Sequence, residues 1–316
     1  MAIVLDTHTH LVPVQSRHLS GVRGIEWDAA TEKLLIDGKT IGMKQLFQPS
    51  ALIDWMDRFS VGHAWVSPPP PLYRPHLDAG AAGEWARALT AGLDEIVEPL
   101  GNRLLSVCFL PIEHPCEAER IAAERLAAGN KLFTASTGGP GVFLSQAEYD
   151  GLWRVLSDGG ALLFLHPGES HDQRLEPFYL TNLLGNPQET GIAVAHMVFS
   201  DVLSRFDGMT VLLSHGGGTV PALAGRWEQG FRTDRPGLNT GIAPPSAQLK
   251  RFHADCVTHS NATLKAARDV FGGGNIVFGS DWPFPMGLLE PDTQLAGSDP
   301  AEIFGSNTQR LLDAFH

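Results

Sequence analysis

No run of apolar residues in this chain approaches the ~20 that a membrane-spanning helix needs. Positive charge is also scarce. Only 23 Lys and Arg stand against 35 Asp and Glu, for a formal charge of -12. A surface of that sign repels phosphate backbones and anionic lipid, and no basic block is present to grip either. Nucleic acid and membrane are therefore not expected as partners. Cysteine is limited to Cys108, Cys116 and Cys256, an odd number without CxxC spacing. That excludes a disulfide framework and fits buried thiols in a reducing compartment. The opening residues carry no basic region followed by a long apolar stretch. A soluble cytoplasmic protein is expected. No internal repeat, heptad series or linker divides the chain.

At 316 residues the chain can bury roughly three quarters of its unfolded surface, as one large α/β domain does. Strand-like runs recur near residues 3–8, 61–67, 104–110, 131–136, 161–166, 210–215, 252–256 and 275–281. Between and after them, apolar spacings of three and four predict helices near 50–59, 84–99, 117–128, 146–158, 187–205, 219–231, 261–271 and 300–314. Helix-end signals stand at Ser145 and Ser260, with glycine after the last turn at Gly129, Gly159 and Gly272. Strands alternating with helices predict a parallel sheet, and the counts match a (β/α)8 TIM barrel occupying residues 1–316 as a single domain. The interval at about 13–49 is too long for an ordinary connection. It holds Asp37-Gly38 between short apolar runs, a two-residue hairpin turn signal, and reads as a small insertion forming a flap over the strand ends. The prolines at 68–71 predict a stiff extended loop.

Polar groups close several of the predicted strands. His8 and His10 lie two apart in Asp6-Thr7-His8-Thr9-His10, so on a strand both imidazoles share one side. His166 follows an apolar run, and Asp281 follows another in Gly279-Ser280-Asp281-Trp282-Pro283. Neutral imidazoles and a carboxylate at the mouth of a barrel suit one divalent metal ion, zinc first, with manganese, iron or cobalt able to occupy similar sites. His8, His10, His166 and Asp281 are the expected ligands. His215 precedes three glycines, and its expected role is acid/base catalysis beside the metal, with Asp281 sharing the proton work. Lys131 begins its strand, at the end opposite the mouth, so no lysine is placed to bridge a second metal.

The ordered set DTHTH at 6–10, HP at 166–167, GNPQET at 185–190, SHGGG at 214–218 and FGSDWPFPMG at 278–287 resembles the amidohydrolase superfamily. Within it the chain is most similar to the decarboxylase branch typified by aminocarboxymuconate-semialdehyde and hydroxybenzoate-type decarboxylases. The resemblance spans almost the whole chain. It implies that His8, His10, His166 and Asp281 hold the metal, that His215 is the catalytic histidine, and that Arg226 reaches a neighbouring subunit's pocket in a homodimer. It implies non-oxidative decarboxylation of a small carboxylated aromatic or muconate-like substrate. Two departures stand out: Gly168-Glu169 follows HP where a tryptophan is usual, with Glu169 adding a carboxylate near the mouth, and residues 24–57 lack an arginine to grip a carboxylate. Arg74, Arg226, His259 and Trp282 are the candidate substrate-binding residues, with Lys39 or Lys44 as point charges. The rival activities are hydrolysis of an amide, ester or lactone on the same metal, hydration of a double bond, and metal-containing ligand binding without turnover.

Overall fold

The computed structural model describes residues 1–168, 170 and 172–315. Glu169, expected to bring a carboxylate near the mouth, lies outside the described residues. Among the described residues there are twelve strands: β1 (Ile3–His10), β2 (Ile25–Asp28), β3 (Lys33–Ile36), β4 (Lys39–Ile41), β5 (Val61–Ser67), β6 (Leu104–Ser106), β7 (Cys108–Leu110), β8 (Leu132–Ser136), β9 (Leu162–His166), β10 (Thr210–Leu213), β11 (Phe252–Asp255) and β12 (Ile276–Val277). β6 and β7 are two halves of one strand: β6 pairs with β5, β7 pairs with β8, and the intervening Val107 donates its N–H to the Val66 carbonyl. Parallel pairing then runs through β8, β9, β10, β11 and β12. The ring closes where the segment after β12 meets β1. Thr7 N–H donates to Phe278 O, Asp281 N–H to His8 O and His10 N–H to Trp282 O. The result is eight parallel strands in a closed barrel.

Helices cover the outside: α1 (Pro49–Phe59), α2 (Ala79–Val97), α3 (Pro115–Ala127), α4 (Asp150–Asp158), α5 (Asn186–Phe199), short α6 (Val202–Arg205), α7 (Val220–Arg232), short α8 (Pro245–Gln248), α9 (Asn261–Phe271), short α10 (Pro291–Gln294) and α11 (Ala301–Phe304), and α12 (Ser306–Phe315). Two apolar cores result. A large one lies between strands and helices, and a smaller one fills the barrel with Leu5, Trp65, Val107, Leu162, Phe164, Leu212 and Val277. Leu311 and Leu312 of α12 join that inner core, so the last helix plugs one end of the barrel. The other end receives the polar strand termini.

Several local expectations need correction. The regular part of the last strand is only two residues, because Asp281 takes φ 60° and the segment pairs irregularly with β1. The helix expected over 187–205 breaks at Asp201, whose φ of 57° cannot continue a helix; that over 300–314 breaks at Gly305. Ser145 does not cap a helix, since its hydroxyl pairs with His196 Nδ1 at 2.8 Å. Ser260 does cap α9, accepting from Thr263 N–H. After α4 the left-handed residue is Gly160, one beyond Gly159. Pro70 starts a single 3-10 turn, which proline at a first helical position permits.

The insertion holds a three-stranded antiparallel sheet, β2-β3-β4, rather than a lone hairpin. Its β3–β4 turn is the expected one: Asp37 and Gly38 both have positive φ, 48° and 81°. The sheet docks through Arg74, which makes two 2.7 Å bonds to Asp37 and a third to the Arg23 carbonyl while stacking on Trp85.

Candidate metal centre

His8 and His10 end β1, His166 ends β9, Asp255 ends β11, and His215 and Asp281 lie just beyond β10 and β12. All therefore gather at the C-terminal mouth, where barrel enzymes carry their chemistry. Strand alternation alone would not turn both Leu5 and His8 inward. The pairing of β1 against β5 slips between Asp6 and Thr9, three residues of β1 opposing two of β5. One extra residue reverses which side chains face inward, and the imidazoles enter the barrel above the apolar core.

Hydrogen bonds select the tautomer of each imidazole. His8 Nδ1 lies 2.7 Å from Asp255 Oδ2, a carboxylate that can only accept. Ser67 gives its hydroxyl proton to the Thr9 carbonyl, so its oxygen accepts from His10 Nδ1 at 3.2 Å. His166 Nδ1 faces the Pro167 carbonyl at 2.9 Å. With every Nδ1 a donor, three Nε2 lone pairs converge on one point.

At that point His8 Nε2 and His10 Nε2 are 3.1 Å apart, and they lie 3.3 Å and 3.2 Å from Asp281 Oδ1. Donors held ~2.0–2.1 Å from a tetrahedral ion would be about 3.3 Å apart. His166 Nε2 and Asp281 Oδ1 are buried without hydrogen-bond partners among the described residues. Ligand atoms of His8, His166, His215 and Asp281 all fall within 4.8 Å of one another. Convergent lone pairs and a carboxylate repel unless a cation sits between them, so the residues fit a divalent metal.

The electrostatics agree. Burial, then the neighbouring imidazoles, hold His166 well below its ordinary pKa, and burial lowers His10. Burial would also lower His8, but Asp281 and Asp255 outweigh it and push His8 up to about 10. Burial would raise Asp281, yet His8, His10 and His215 hold it well below the usual carboxylate range. A pocket that binds a proton so firmly is a pocket that attracts positive charge.

Asp281 divides its two oxygens. Oδ1 faces His8 and His10, while Oδ2 lies 3.6 Å from His215 Nε2. His215 has φ 53° and is followed by three glycines with positive φ, so the chain turns sharply and leaves the imidazole partly exposed. Glycine is required at 218, where a Cβ would lie 2.4 Å from the Pro187 carbonyl. His215 and Asp281 face a cavity of about 270 Å³, together with His259, Asn186 and Leu183. A larger cavity of about 690 Å³ lies under the insertion, lined among others by Ile36, Ile41, Tyr73 and Gly168, and touches neither His215 nor Asp281.

Of the candidate substrate-binding residues, His259 is brought to the smaller cavity. Arg74 lines the larger one, but its guanidinium is engaged by Asp37. Trp282 is 4% exposed in the core and lines neither cavity; Phe284 instead packs edge-on to His10 at 5.4 Å. Arg226 is exposed on α7 and lines neither cavity. Lys44 pairs with Glu32 on the surface. Asp255 was absent from the candidate set, though it closes an apolar strand just as His166 does. It holds four groups, His8 Nδ1 and the N–H groups of His215, Gly216 and Val257. Asp6 similarly accepts from the N–H groups of His8 and Ser280, tying the first strand to the last.

The amidohydrolase family model matches residues 5–313. A 2-amino-3-carboxymuconate-6-semialdehyde decarboxylase from Dictyostelium discoideum is 26% identical over 98% of this chain and 92% of its own. The crystal structure of an IDCase from Metarhizium anisopliae in apo form superposes with a TM-score of 0.80 at 25% identity, covering 99% of this chain and 98% of that one. A dihydroxybenzoic acid decarboxylase from Polaromonas sp. JS666, with bound manganese and the inhibitor 2-nitroresorcinol, gives a TM-score of 0.79 at 17% identity over 99% and 97% of the two chains. The closed barrel, the mouth-end cluster and the family match agree: the chain belongs to the amidohydrolase family.

Proposed function

We propose that the protein is a metal-dependent carboxy-lyase that removes CO₂ from a small aromatic or muconate-like acid. The observation that carries this is the gathering of His8, His10 and His166 around Asp281, with His8 and His10 Nε2 at 3.3 Å and 3.2 Å from its Oδ1 and a His166 ring nitrogen within 4.8 Å of a carboxylate oxygen, in a chain similar over nearly its whole length to a decarboxylase. His8, His10, His166 and Asp281 would hold one divalent ion, with zinc favoured by the nitrogen-rich donor set and manganese the first alternative. When bound, the ion supplies a Lewis acid that holds and polarises the substrate's oxygens.

The chain's own groups then manage the proton. Cleavage of the bond to the carboxylate leaves its electron pair on the former carboxyl-bearing carbon and releases CO₂; that carbon must gain one proton. His215 Nε2 and Asp281 Oδ2, 3.6 Å apart at the cavity wall, are the groups placed to deliver it. The same pair could serve hydrolysis of an amide, ester or lactone, so products decide. Incubation of metal-loaded protein with 2,6-dihydroxybenzoate, 5-carboxyvanillate and aminocarboxymuconate semialdehyde should release CO₂ with a new C–H bond. A new acid group from an ester or lactone, with no CO₂ from any acid, would replace this reading with the hydrolase.

Residues 1–316 would form one domain with its insertion at about 13–49, working in the cytoplasm, where its three free thiols would stay reduced. No helix among the described residues is long and apolar enough to cross a membrane. A homodimer is part of the proposal. Phe178, Tyr179, Leu183 and Leu184 form an exposed apolar group, 46–85% accessible, and Leu183 also lines the smaller cavity. A second copy seated there would cover it and bring its Arg226 near that cavity. Sedimentation should show a dimer that Leu184→Glu dissociates, and Arg226→Ala should raise KM without changing the mass.

A further inference from the structure

Two acidic side chains line the larger cavity, Asp37, which is paired with Arg74, and Glu113. Glu113 follows β7 and lines the cavity floor beside Ser136. Ser136 Oγ accepts from Gly138 N–H at 3.2 Å, which commits its own proton to Glu113 Oε1 at 3.0 Å. Among the described residues Glu113 makes no ion pair. Burial, the largest influence on it, pushes its carboxyl above the ordinary range. Of the cavity's other charged groups, Arg74 is bound to Asp37, His76 also faces Asp37 at 3.4 Å, and Lys39, a candidate point charge, lines the same cavity from β4. Glu113 thus offers acceptor capacity to whatever enters.

The cavity is adjacent to the metal centre. Gly168, two residues beyond His166, forms part of its wall, as does Tyr73, whose ring is edge-on to His166 at 6.4 Å and stacked on Phe109. At Gly168 a Cβ would rest against Tyr73 and Ser136, at 3.6 Å and 3.7 Å, in ordinary contact, so the wall there has room for a methyl group. The remaining walls are largely proline and glycine on the barrel side, with Ile36 and Ile41 from the flap. Stiff proline and glycine walls, with the Glu113 acceptor apart from the Asp37–Arg74 pair, suit a flat ring bearing a hydrogen-bond donor, and little ordering cost attends binding.

We propose that Glu113 is a specificity-determining residue, its carboxyl receiving a hydroxyl or amino substituent that the substrate carries on the side away from the metal. This rests on the carboxy-lyase reading, which it refines to ring or muconate-like acids bearing such a donor. Without a donor, the ligand would leave the buried acceptor unpaired, and that is the basis of discrimination.

Calorimetry on metal-loaded protein, with salicylate and its 4-hydroxy, 4-amino, 5-hydroxy and 5-amino derivatives as probes, tests this independently of turnover. At least one donor-bearing probe should bind ~10-fold or more tighter than salicylate, the worth of one good hydrogen bond. Glu113→Ala should reduce that probe to salicylate's affinity while leaving salicylate within about twofold; Glu113→Gln, which keeps an acceptor oxygen and the side chain's size, should retain part of the preference for the hydroxyl. Metal content and melting temperature are recorded for both variants. Equal binding of all probes, no binding of any donor-bearing probe, or equal loss for salicylate in both variants would overturn the subsite. Donor discrimination that depends on Glu113 without CO₂ release from any acid would sink the lyase reading and leave the subsite standing.

Discussion

Asp255 shows how one carboxylate can fix several parts of a site. Its Oδ2 spans His8 Nδ1 and the His215 N–H, and its Oδ1 takes the Gly216 and Val257 N–H groups. Partners of this kind behind a metal-bound imidazole are typically worth ~10–100-fold in metal affinity. Asp255→Asn should weaken zinc binding by that factor in a competition titration with a chromophoric chelator; an unchanged affinity would refute the role. Gly279 is limited by space rather than by φ: a Cβ there would stand 2.8 Å from the Cβ atoms of both Asp255 and His8. Gly279→Ala should cost ~1–3 kcal/mol of stability as overpacking does, read by denaturant unfolding, and should lower metal content with it. His8→Ala and Asp281→Ala should lose metal, whereas His215→Ala should keep it and lose ~10²–10⁴ in rate, the usual worth of a proton-transfer group. Equal metal loss in all three, measured by elemental mass spectrometry, would make His215 a ligand.

Among elements, the insertion is held by buried side chains, Leu34 and Ile36 among them, and by one buried ion pair. Arg74 is 4% exposed at its side chain, and Asp37 at the β3–β4 turn is its carboxylate. Asn tolerates positive φ, so Asp37→Asn keeps the turn and removes only the charge. The buried guanidinium then lacks a counter-ion, a strongly destabilising arrangement. The expected outcome is faster tryptic cleavage within residues 23–44 while the barrel's own melting transition stays in place; simultaneous loss of both would show that flap and barrel unfold together. The Asp-Gly turn was legible because two positive φ values leave few residue choices. The partner strand β2 was not, since Ile25–Asp28 carries a weak alternation that only pairing with β3 makes regular.

For the whole molecule, acid sensitivity involves two buried groups of opposite sense. Burial, followed by the Arg310 charge, lowers His253 to about 4. The folded state therefore prefers this ring neutral, so its stabilising contribution is full above the unfolded value of about 6.5 and is lost as pH falls toward 4. Burial raises Asp6 to about 7, so its contribution runs the other way, present below the unfolded carboxylate value and lost as pH rises to 7. The two overlap, and a wild-type melt alone would hide both. The difference between wild type and His253→Gln isolates the first: the variant should lose less melting temperature between pH 6.5 and 4.5, and parallel curves would remove His253 as the cause.

The sequence by itself determined the barrel class and which polar groups close its strands, because each depends on local pattern. Apolar runs of strand length mark the strands, and a polar group at the close of a run marks the mouth. Only the tertiary structure decided the rest. The slip between β1 and β5 that turns His8 and His10 inward, the closure of the ring through Phe278–Trp282, and the capture of Arg74 by Asp37 all depend on partners distant in the chain. Asp255 and Glu113 belong to the same class: a lone carboxylate gains its meaning from what it faces, and the fold alone brings His8 to one and an open cavity to the other.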